Sequence, residues 1–272
     1  MALYIVSTPI GNLQDVTLRA LAILNEVERV YAEDTRRTRV LFDRHDLHTP
    51  LRSLHAHNEA SKVDEILQLL EGGADIALVS DAGTPLVSDP GDRLVRRVLD
   101  AGHEVVPVPG ASAVLASLVA SGLPAGSFTF IGFLPRKKAS RRDRIERLAN
   151  SDHAVVLFEA PARLSALLAD LAEVAGPSRP IAVARELTKL HEEVFRGTVA
   201  EALDRFEGTT PKGEVTVVLA AAPEAAEDEE GARALAAELL AEGASATDVV
   251  REVTERFGLG RNAAYRLVQG IR

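Results

Sequence analysis

The chain has 272 residues, of which 46% are hydrophobic and 26% are charged, as is typical of a globular protein with one large domain or two modest ones. It has no run of about 18 apolar residues and no cysteine, which excludes a membrane span, disulfides and thiolate metal sites. The net charge of −9 argues against a protein that simply coats nucleic acid, so an RNA partner would require a local basic patch. The first residues, MALYIVSTPIGN, have no basic leader and no cleavage site, and with the missing cysteines they predict a cytoplasmic protein.

Short β-like runs alternate with amphipathic stretches in the first half of the chain. The runs lie at residues 3–8, 29–32, 51–56, 76–80, 104–109 and 128–133. One stretch between them, SKVDEILQLLEGG, places Val63, Ile66, Leu67 and Leu70 at helical spacing. This alternation predicts βαβ units, and hence a mostly parallel sheet with helices on both faces, over residues 1–112.

A second block of β-like runs has fewer helices between its members. These runs lie at residues 154–160, 181–188, 192–197 and 213–222, and their pattern predicts a mixed sheet. The predicted fold class is therefore α/β with two lobes, residues 1–112 and residues 113–222, and a crevice between them.

The end of the chain differs in composition from both lobes. Residues 223–231, PEAAEDEEG, hold five acids and no base, which predicts a solvated linker. Residues 232–272 predict three short helices, with Ser245 or Thr247 as the cap of the second and Gly258 and Gly260 at its end. This arrangement is typical of a helix-turn-helix domain, although a small helical appendage that only packs fits the pattern equally well.

A polar or Gly/Pro-rich loop follows each of the first five predicted strands, at residues 8–12, 32–39, 55–59, 78–91 and 109–113. Because ligands bind at the carboxyl ends of strands in open α/β sheets, we expect these loops to form one binding site. The motifs GxGxxG and GxxxxGKS/T are absent, which excludes the usual dinucleotide and P-loop sites. Small side chains and the hydroxyls of Thr84 and Ser112 instead suit a ligand without phosphates, such as a nucleoside, with Asp81 available to an amino or hydroxyl group.

Eight segments stand in a specific order: TPIGNLQDVTLRAL, AEDTRRT, HNE, VSDAGTPLVSDPG, VPGASA, GFLPRK, LFEAPARL and RELTKLHEEVFRG. In this order they resemble the ribosomal RNA small-subunit methyltransferase I family, a branch of the tetrapyrrole methylase superfamily, over about residues 2–222. The resemblance implies a two-lobed fold with S-adenosylmethionine in the crevice. It further implies methylation of a ribose 2′-hydroxyl on a cytidine in the decoding region of small-subunit ribosomal RNA, as free RNA or as the 30S subunit, by a homodimer.

The resemblance also implies which residues bind the cofactor. They are Pro9 in the first loop, Gly83, Thr84 and Val87 after the fourth strand, Ser112 and Ala113 after the fifth, and Phe158 and Glu214 in the second lobe, with Asp81 as a further polar contact. Thr84 stands where the tetrapyrrole enzymes carry an aspartate. S-adenosylmethionine has no phosphates and is cationic at sulfur, so a loop without a basic residue suits it.

Methyl transfer to a ribose hydroxyl requires an oriented acceptor and benefits from a general base or a nearby cation. The candidate catalytic residues lie on the crevice loops and are Lys189 and Glu186 in RELTK, Asp34 and Arg36 in EDTR, and His57 in HNE. Three of them have a structural alternative, since Glu186 and Lys189 can pair with Arg185 and Glu192 on a surface and Asp34 can cap the helix that follows. The seven histidines have no metal-ligand spacing, and we expect no metal.

The segment RKKASRRDRIER, residues 136–147, holds seven bases and two acids. We expect it to contact RNA phosphates through Arg136, Lys137, Lys138, Arg141, Arg142 and Arg144, although a solvated helix face is the simpler alternative. Two other functions stay open. One is a methyltransferase for a tetrapyrrole or other small-molecule acceptor, which would need neither this segment nor the helical tail. The other is a methylase-like module that binds a nucleotide or RNA without chemistry.

Overall fold

The computed structural model describes residues 1–55, 58–208, 212–222, 229–257 and 261–271. The strands are β1 Ala2–Val6, β2 Arg29–Ala32, β3 Leu51–Ser53, β4 Ile76–Val79, β5 Glu104–Val108, β6 Phe128–Phe133, β7 Ala154–Glu159, β8 Pro180–Arg185, β9 Glu193–Thr198 and β10 Val215–Leu219. The helices are α1 Leu18–Glu26, α2 Thr35–Arg44, α3 Glu59–Glu71, α4 Asp92–Asp100, α5 Ala113–Ser121, α6 Lys138–Ala149, α7 Leu164–Val174, α8 Val199–Phe206, α9 Glu229–Ala241, α10 Ala246–Phe257 and α11 Arg261–Gln269. None of the helices described is long and apolar enough to cross a bilayer.

The first sheet has the strand order β3-β2-β4-β1-β5, and all of its strand pairs are parallel. Helices cover both faces, as predicted. On one face Ile66 of α3 and Leu94 of α4 are fully buried against the sheet, and on the other face Leu24 of α1 and Phe42 of α2 are fully buried. Because the strands are parallel, the loops that follow β1, β2, β4 and β5 meet at one edge of the sheet.

The second sheet has the order β6-β7-β10-β8-β9 and is mixed, as predicted, since only β6 and β7 pair in parallel. Leucines of α7 pack against one face together with Ile145 of α6 and Phe206 of α8. Val114 and Leu118 of α5 pack against the other face. The strand β8 ends at Arg185, three residues earlier than predicted, because the backbone of Glu186 turns to a positive φ of 50°.

The chain divides into two compact units. The first comprises Met1–Leu148 and His153–Ala220 and contains both sheets, and the second comprises Ala149–Asp152 and Ala221–Arg272. The predicted lobes, residues 1–112 and 113–222, differ in the sheet they hold but lie within one compact unit, so their boundaries stay a prediction.

The second unit contains α9, α10 and α11, which enclose a small core that includes Ala236, Val253 and Leu267. Ser245 is the cap of α10, because its hydroxyl accepts a hydrogen bond from the backbone N–H of Asp248 at 3.2 Å. The alternative cap, Thr247, lies within the helix.

Two predictions for this region lie partly or wholly outside the described residues. The acidic linker was predicted over residues 223–231, of which 223–228 are not described, and α9 already begins at Glu229. Gly258 and Gly260 also lie outside the described residues. The helix-turn-helix assignment therefore stays a prediction.

Candidate active site

A cleft of about 410 Å³ lies between the loop edge of the first sheet and the second sheet. The first sheet contributes residues that follow β1, β2, β4 and β5, and the second contributes residues of or next to β6, β7, β8 and β10. The cleft therefore collects four of the five loops that the sequence predicted to share an edge. From the other loop, residues 55–59, Ala56 and His57 lie outside the described residues.

The loop after β4 is fixed to the loop after β1 by backbone and side-chain hydrogen bonds. The backbone N–H of Thr8 donates to the carbonyl oxygen of Gly83 at 2.8 Å, and the N–H of Gly83 donates back to Thr8 at 3.1 Å. The hydroxyls of Ser7 and Thr84 lie 2.8 Å apart. Gly83 has a φ of +80°, a conformation that side chains rarely adopt, which explains a glycine here.

Asp81 connects the loop after β4 to the start of α2. Its Oδ1 accepts a hydrogen bond from the backbone N–H of Asp34 at 2.9 Å, and its Oδ2 lies 3.4 Å from Nη1 of Arg37. The predicted contact between Asp81 and a ligand must therefore share a carboxylate that already orders two loops.

Backbone strain is concentrated in the two loops that face each other across the cleft. Five non-glycine residues have positive φ among those the structure describes, and four of them are Leu86 (73°), Ser88 (70°), Glu186 (50°) and Thr188 (65°). Such conformations cost on the order of 1–3 kcal/mol each and cluster at functional sites. Their location supports the cleft as the functional site.

Eight of the nine predicted cofactor residues line this cleft: Asp81, Gly83, Thr84, Val87, Ser112, Ala113, Phe158 and Glu214. The ninth, Pro9, is buried and is not among the lining residues, whereas its neighbour Ile10 is. The hydroxyl of Ser112 accepts a hydrogen bond from the N–H of Leu115 at 3.4 Å and so caps α5.

The charges that line the cleft are almost all negative. They are the carboxylates of Glu33, Asp81, Asp89, Glu159 and Glu214 and the guanidinium of Arg37. Burial and the neighbouring Glu33 carboxylate raise the pKa of Asp89 to about 6. Burial, followed by the carboxylate of Asp81, also raises the pKa of Glu33.

Glu159 presents an unsatisfied oxygen in this cleft. Its side chain is fully buried, and Oε1 accepts a hydrogen bond from the N–H of Ala160 at 2.8 Å and lies 3.2 Å from Nε of Arg163, whereas Oε2 has no hydrogen-bond partner. Burial raises the pKa of this carboxyl. An acidic cleft without a phosphate cradle fits a cationic, phosphate-free ligand such as S-adenosylmethionine.

The four predicted catalytic residues that the structure describes, Lys189, Glu186, Asp34 and Arg36, are not among those that line the cleft. Lys189 Nζ instead donates to Glu186 Oε1 at 2.8 Å and to Glu214 Oε2 at 3.1 Å, so it orders the loop after β8 beside the cleft. Asp34 caps α2 and pairs with Arg36, whose side chain is 88% exposed. The cap formed by Asp34 is the structural alternative that the sequence left open, whereas Lys189 pairs with Glu186 and Glu214 rather than with Glu192. His57 lies outside the described residues.

The cleft residues that the sequence reasoning missed include Glu33, Asp89, Phe133 and Glu159. Asp89 lies in the same loop as Asp81, and Glu159 follows Phe158 directly, so both were within motifs already recognised. Phe133 had one signal, its position just before the basic segment. No group of three or more His, Asp or Glu side chains is arranged to hold a metal ion in the part of the chain that the structure describes.

The basic segment separates into exposed and buried residues. Arg136, Lys137, Lys138 and Arg144 are exposed, and Arg142 pairs with Glu173 at 2.7 Å. The prediction for Arg141 is wrong: its side chain is 8% exposed, and its Nε donates to Oδ2 of the equally buried Asp170 at 2.6 Å. Arg141 faces the core between α6 and α7, so phosphates cannot reach it.

Comparisons with known proteins show the family of the chain. The family model described as tetrapyrrole (corrin/porphyrin) methylases matches residues 2–203. Two relatives, both named ribosomal RNA small subunit methyltransferase I, are 48% identical in Micromonospora olivasterospora and 44% identical in Synechocystis. The first match covers 98% of this chain and 86% of the relative, and the second covers 97% and 96%.

A solved structure with the same fold contains a ligand. It is the uroporphyrin-III C-methyltransferase of Thermus thermophilus complexed with S-adenosylhomocysteine, with a TM-score of 0.58, 17% identity, and coverage of 80% of this chain and 97% of that one. At this identity the likeness concerns the fold alone. The order of motifs, the two sheets with their shared cleft and the similarity to the full-length relatives lead to one conclusion: the chain belongs to the ribosomal RNA small subunit methyltransferase I family within the tetrapyrrole methylases.

Proposed function

We propose that this protein is a cytoplasmic methyltransferase that uses S-adenosylmethionine to methylate a cytidine 2′-hydroxyl in the decoding region of small-subunit ribosomal RNA. The observation that carries the proposal is the cleft, whose described lining holds five carboxylates and one guanidinium and fits a cationic cofactor without phosphates. Two of these carboxylates, Glu159 and Glu214, also pair with Arg163 and Lys189. The relatives suggest the acceptor, because they are named as ribosomal RNA methyltransferases and are 44–48% identical over nearly the whole chain.

A tetrapyrrole acceptor is the alternative. The tetrapyrrole methyltransferases that share the fold are much more distant, at 17–22% identity. A tetrapyrrole acceptor would also give no role to the exposed basic side chains at the start of α6. We therefore prefer RNA as the acceptor.

The residues of the cleft divide into a cofactor cradle and a group of acids. Gly83, Thr84, Ser112 and Ala113 would hold the nucleoside part of the cofactor, with Phe158 against it. When bound, S-adenosylmethionine supplies an electrophilic methyl group on a positively charged sulfur. The surrounding carboxylates would favour that charge, and the loops would orient the acceptor hydroxyl toward the methyl group, which would provide much of the rate enhancement. The methyl group would pass to the oxygen as its bond to sulfur breaks, with the hydroxyl proton taken by a base.

The acceptor hydroxyl must lose a proton, and we propose Asp89 as the general base. Asp89 lines the cleft, is half-buried and has Glu33 and Asp81 as its acidic neighbours. A carboxylate with a pKa of about 6 is mostly ionised at pH 7 to 8 and is more basic than an ordinary aspartate.

The exposed bases at the start of α6 predict salt-dependent RNA binding. Replacing Arg136, Lys137 and Lys138 together by glutamine is expected to weaken binding to small ribosomal subunits and to reduce the slope of log K against log salt concentration by about 2 to 3, because three phosphate contacts are lost. The matched control replaces three other exposed bases, Arg93, Arg96 and Arg97 of α4. Equal slopes for the two triple variants would refute a specific role of this segment.

We also propose a homodimer. Two apolar side chains one turn apart on α5, Leu115 and Val119, are 54% and 77% exposed, which suits a protein contact. Val119→Lys is expected to shift the sedimentation coefficient from that of a dimer to that of a monomer, whereas Arg39→Glu, an exposed change on α2, should not. A wild-type protein that sediments as a monomer at micromolar concentration would contradict the proposal.

Cofactor and acceptor can be tested separately. Calorimetry is expected to detect binding of S-adenosylmethionine but not of ATP, whose phosphates the acidic cleft would repel. Transfer of a labelled methyl group is then compared between unmodified small ribosomal subunits and uroporphyrinogen. Label in the subunits supports the proposal, label in the tetrapyrrole supports the alternative, and cofactor binding without transfer to either acceptor would refute both.

A further inference from the structure

We propose that the ring of Phe133 is the surface on which a nucleobase of the RNA substrate stacks as the target ribose enters the cleft. This inference rests on the proposed function and adds the residue that orients the acceptor. It concerns a side chain that lines the cleft and is 57% exposed, an unusual position for a phenylalanine in a chain with only eight.

A β-bulge directs Phe133 toward the cleft. In the pairing of β6 with β7, Phe130 lies opposite Val156 and Phe133 lies opposite Phe158, so β6 has one residue more than β7 in this interval. The φ of Gly132 is +64°, and a Cβ at this glycine would lie 2.9 Å from the hydroxyl of Ser88. Bulges next to active sites commonly redirect a side chain in this way.

The effect of the bulge is visible in the packing. Ile131 packs against the core that contains α7, while Phe130 and Phe158 belong to the core on the α5 side. In a regular strand Phe133 would lie on the same face as Ile131. Instead its ring centroid lies 5.6 Å from that of Phe158, which in turn lies 4.9 Å from that of Phe130.

Exposure favours RNA over the cofactor as the partner of this ring. Phe158 is the more buried of the two cleft phenylalanines, and the predicted cradle for the adenosyl group lies against it. Phe133 is left with more than half of its surface exposed. An aromatic ring in this position provides a π-face for any nucleobase.

The basic segment continues directly from this ring. Arg136 follows Phe133 by three residues, at most about 11 Å of chain. The intervening backbone is fixed, because Nη2 of Arg163 donates to the carbonyl oxygens of Leu134 at 2.9 Å and Pro135 at 3.2 Å. An aromatic ring at a fixed distance from exposed basic side chains suits a nucleotide chain, since the ring can stack on a nucleobase and the basic side chains can contact phosphates.

The test measures methyl transfer to unmodified small ribosomal subunits and, separately, the calorimetric affinity for S-adenosylmethionine. Phe133→Ala is expected to lower kcat/KM for the subunits by about five- to thirty-fold, because one base stack is lost, with unchanged cofactor affinity. Phe133→Leu keeps an apolar side chain without a π-face and should also lower kcat/KM, whereas Phe133→Trp should keep kcat/KM near that of the wild type. The matched control is Phe128→Ala on the same strand, since Phe128 is 37% exposed and is not among the residues that line the cleft.

Three results would overturn the inference. An unchanged kcat/KM in Phe133→Ala would mean that the ring does not contact the acceptor. An equal loss of cofactor affinity would assign the ring to the cofactor, and a change in sedimentation would assign it to a contact between subunits. If the wild-type protein itself does not methylate the subunits, the proposed function fails, which is a different result from failure of the stacking contact.

Discussion

Replacing Asp89 by asparagine is expected to lower the rate of methyl transfer by about 100-fold, the lower end of what a general base contributes. Asparagine has nearly the same shape but cannot accept the hydroxyl proton. Affinity for S-adenosylmethionine is expected to change by only a few-fold. The rate is measured at saturating cofactor and subunits. Asp100→Asn serves as the control, because that carboxylate is exposed at the end of α4.

The pH profile gives a second readout of the same residue. The rate of the wild-type protein is expected to fall as the pH drops through about 6, because Asp89 then becomes protonated. The residual rate of Asp89→Asn should not show this inflection. A variant that keeps the wild-type rate and the same inflection would exclude Asp89 as the base.

The same substitution has an opposite effect on stability. Since the pKa of Asp89 is higher in the folded protein than in the unfolded chain, its ionisation opposes folding. This destabilisation develops as the pH rises from about 4 to about 6 and then stays constant. Asp89→Asn is therefore expected to melt at a higher temperature than the wild type at pH 8 and at the same temperature below pH 4. A gain in stability with a loss of rate is typical of a functional residue.

Replacing Asp170 by alanine is expected to destabilise the protein by about 3–5 kcal/mol, because it leaves the buried guanidinium of Arg141 without its partner. The two side chains are 8% and 5% exposed, so water cannot replace the lost contact. Urea denaturation followed by circular dichroism measures the loss.

The control for this substitution is an exposed ion pair between the same two helices. Arg142 and Glu173 lie 2.7 Å apart, with side chains that are 32% and 58% exposed. Glu173→Ala is expected to cost about 0–1 kcal/mol. Equal costs for Asp170→Ala and Glu173→Ala would contradict the burial of the first pair. Arg141→Ala would likewise reduce activity by unfolding, so it cannot report on RNA contact.

The sheets could be predicted because most of the strands, such as β1, β4, β7 and β10, are short apolar runs bounded by turn residues. The site followed from topology, since parallel strands bring the loops at residues 78–91 and 109–113 to one edge. The end of β8 could not be predicted, because the positive φ values of Glu186 and Thr188 depend on tertiary contacts. This turn explains why Glu186 and Lys189, the catalytic candidates of that loop, do not line the cleft.

Arg141 illustrates a different failure. A count of charges treats residues 136–147 as one basic surface, but a helix divides them between two faces. Arg141, Ile145 and Leu148 are spaced by four and three residues, and all three are turned toward the core. The helical spacing of Arg141, Ile145 and Leu148 could therefore have predicted that Arg141 is buried, whereas its partner Asp170 could be identified only from the structure.

The most direct test of the proposed function is to map the methyl group by nuclease digestion and mass spectrometry of small ribosomal subunits that lack this modification, after incubation with the protein and S-adenosylmethionine. The predicted result is one 2′-O-methylcytidine in the decoding region, which is absent without the protein. Label on a base, on another region of the RNA or on no RNA at all would contradict the assignment.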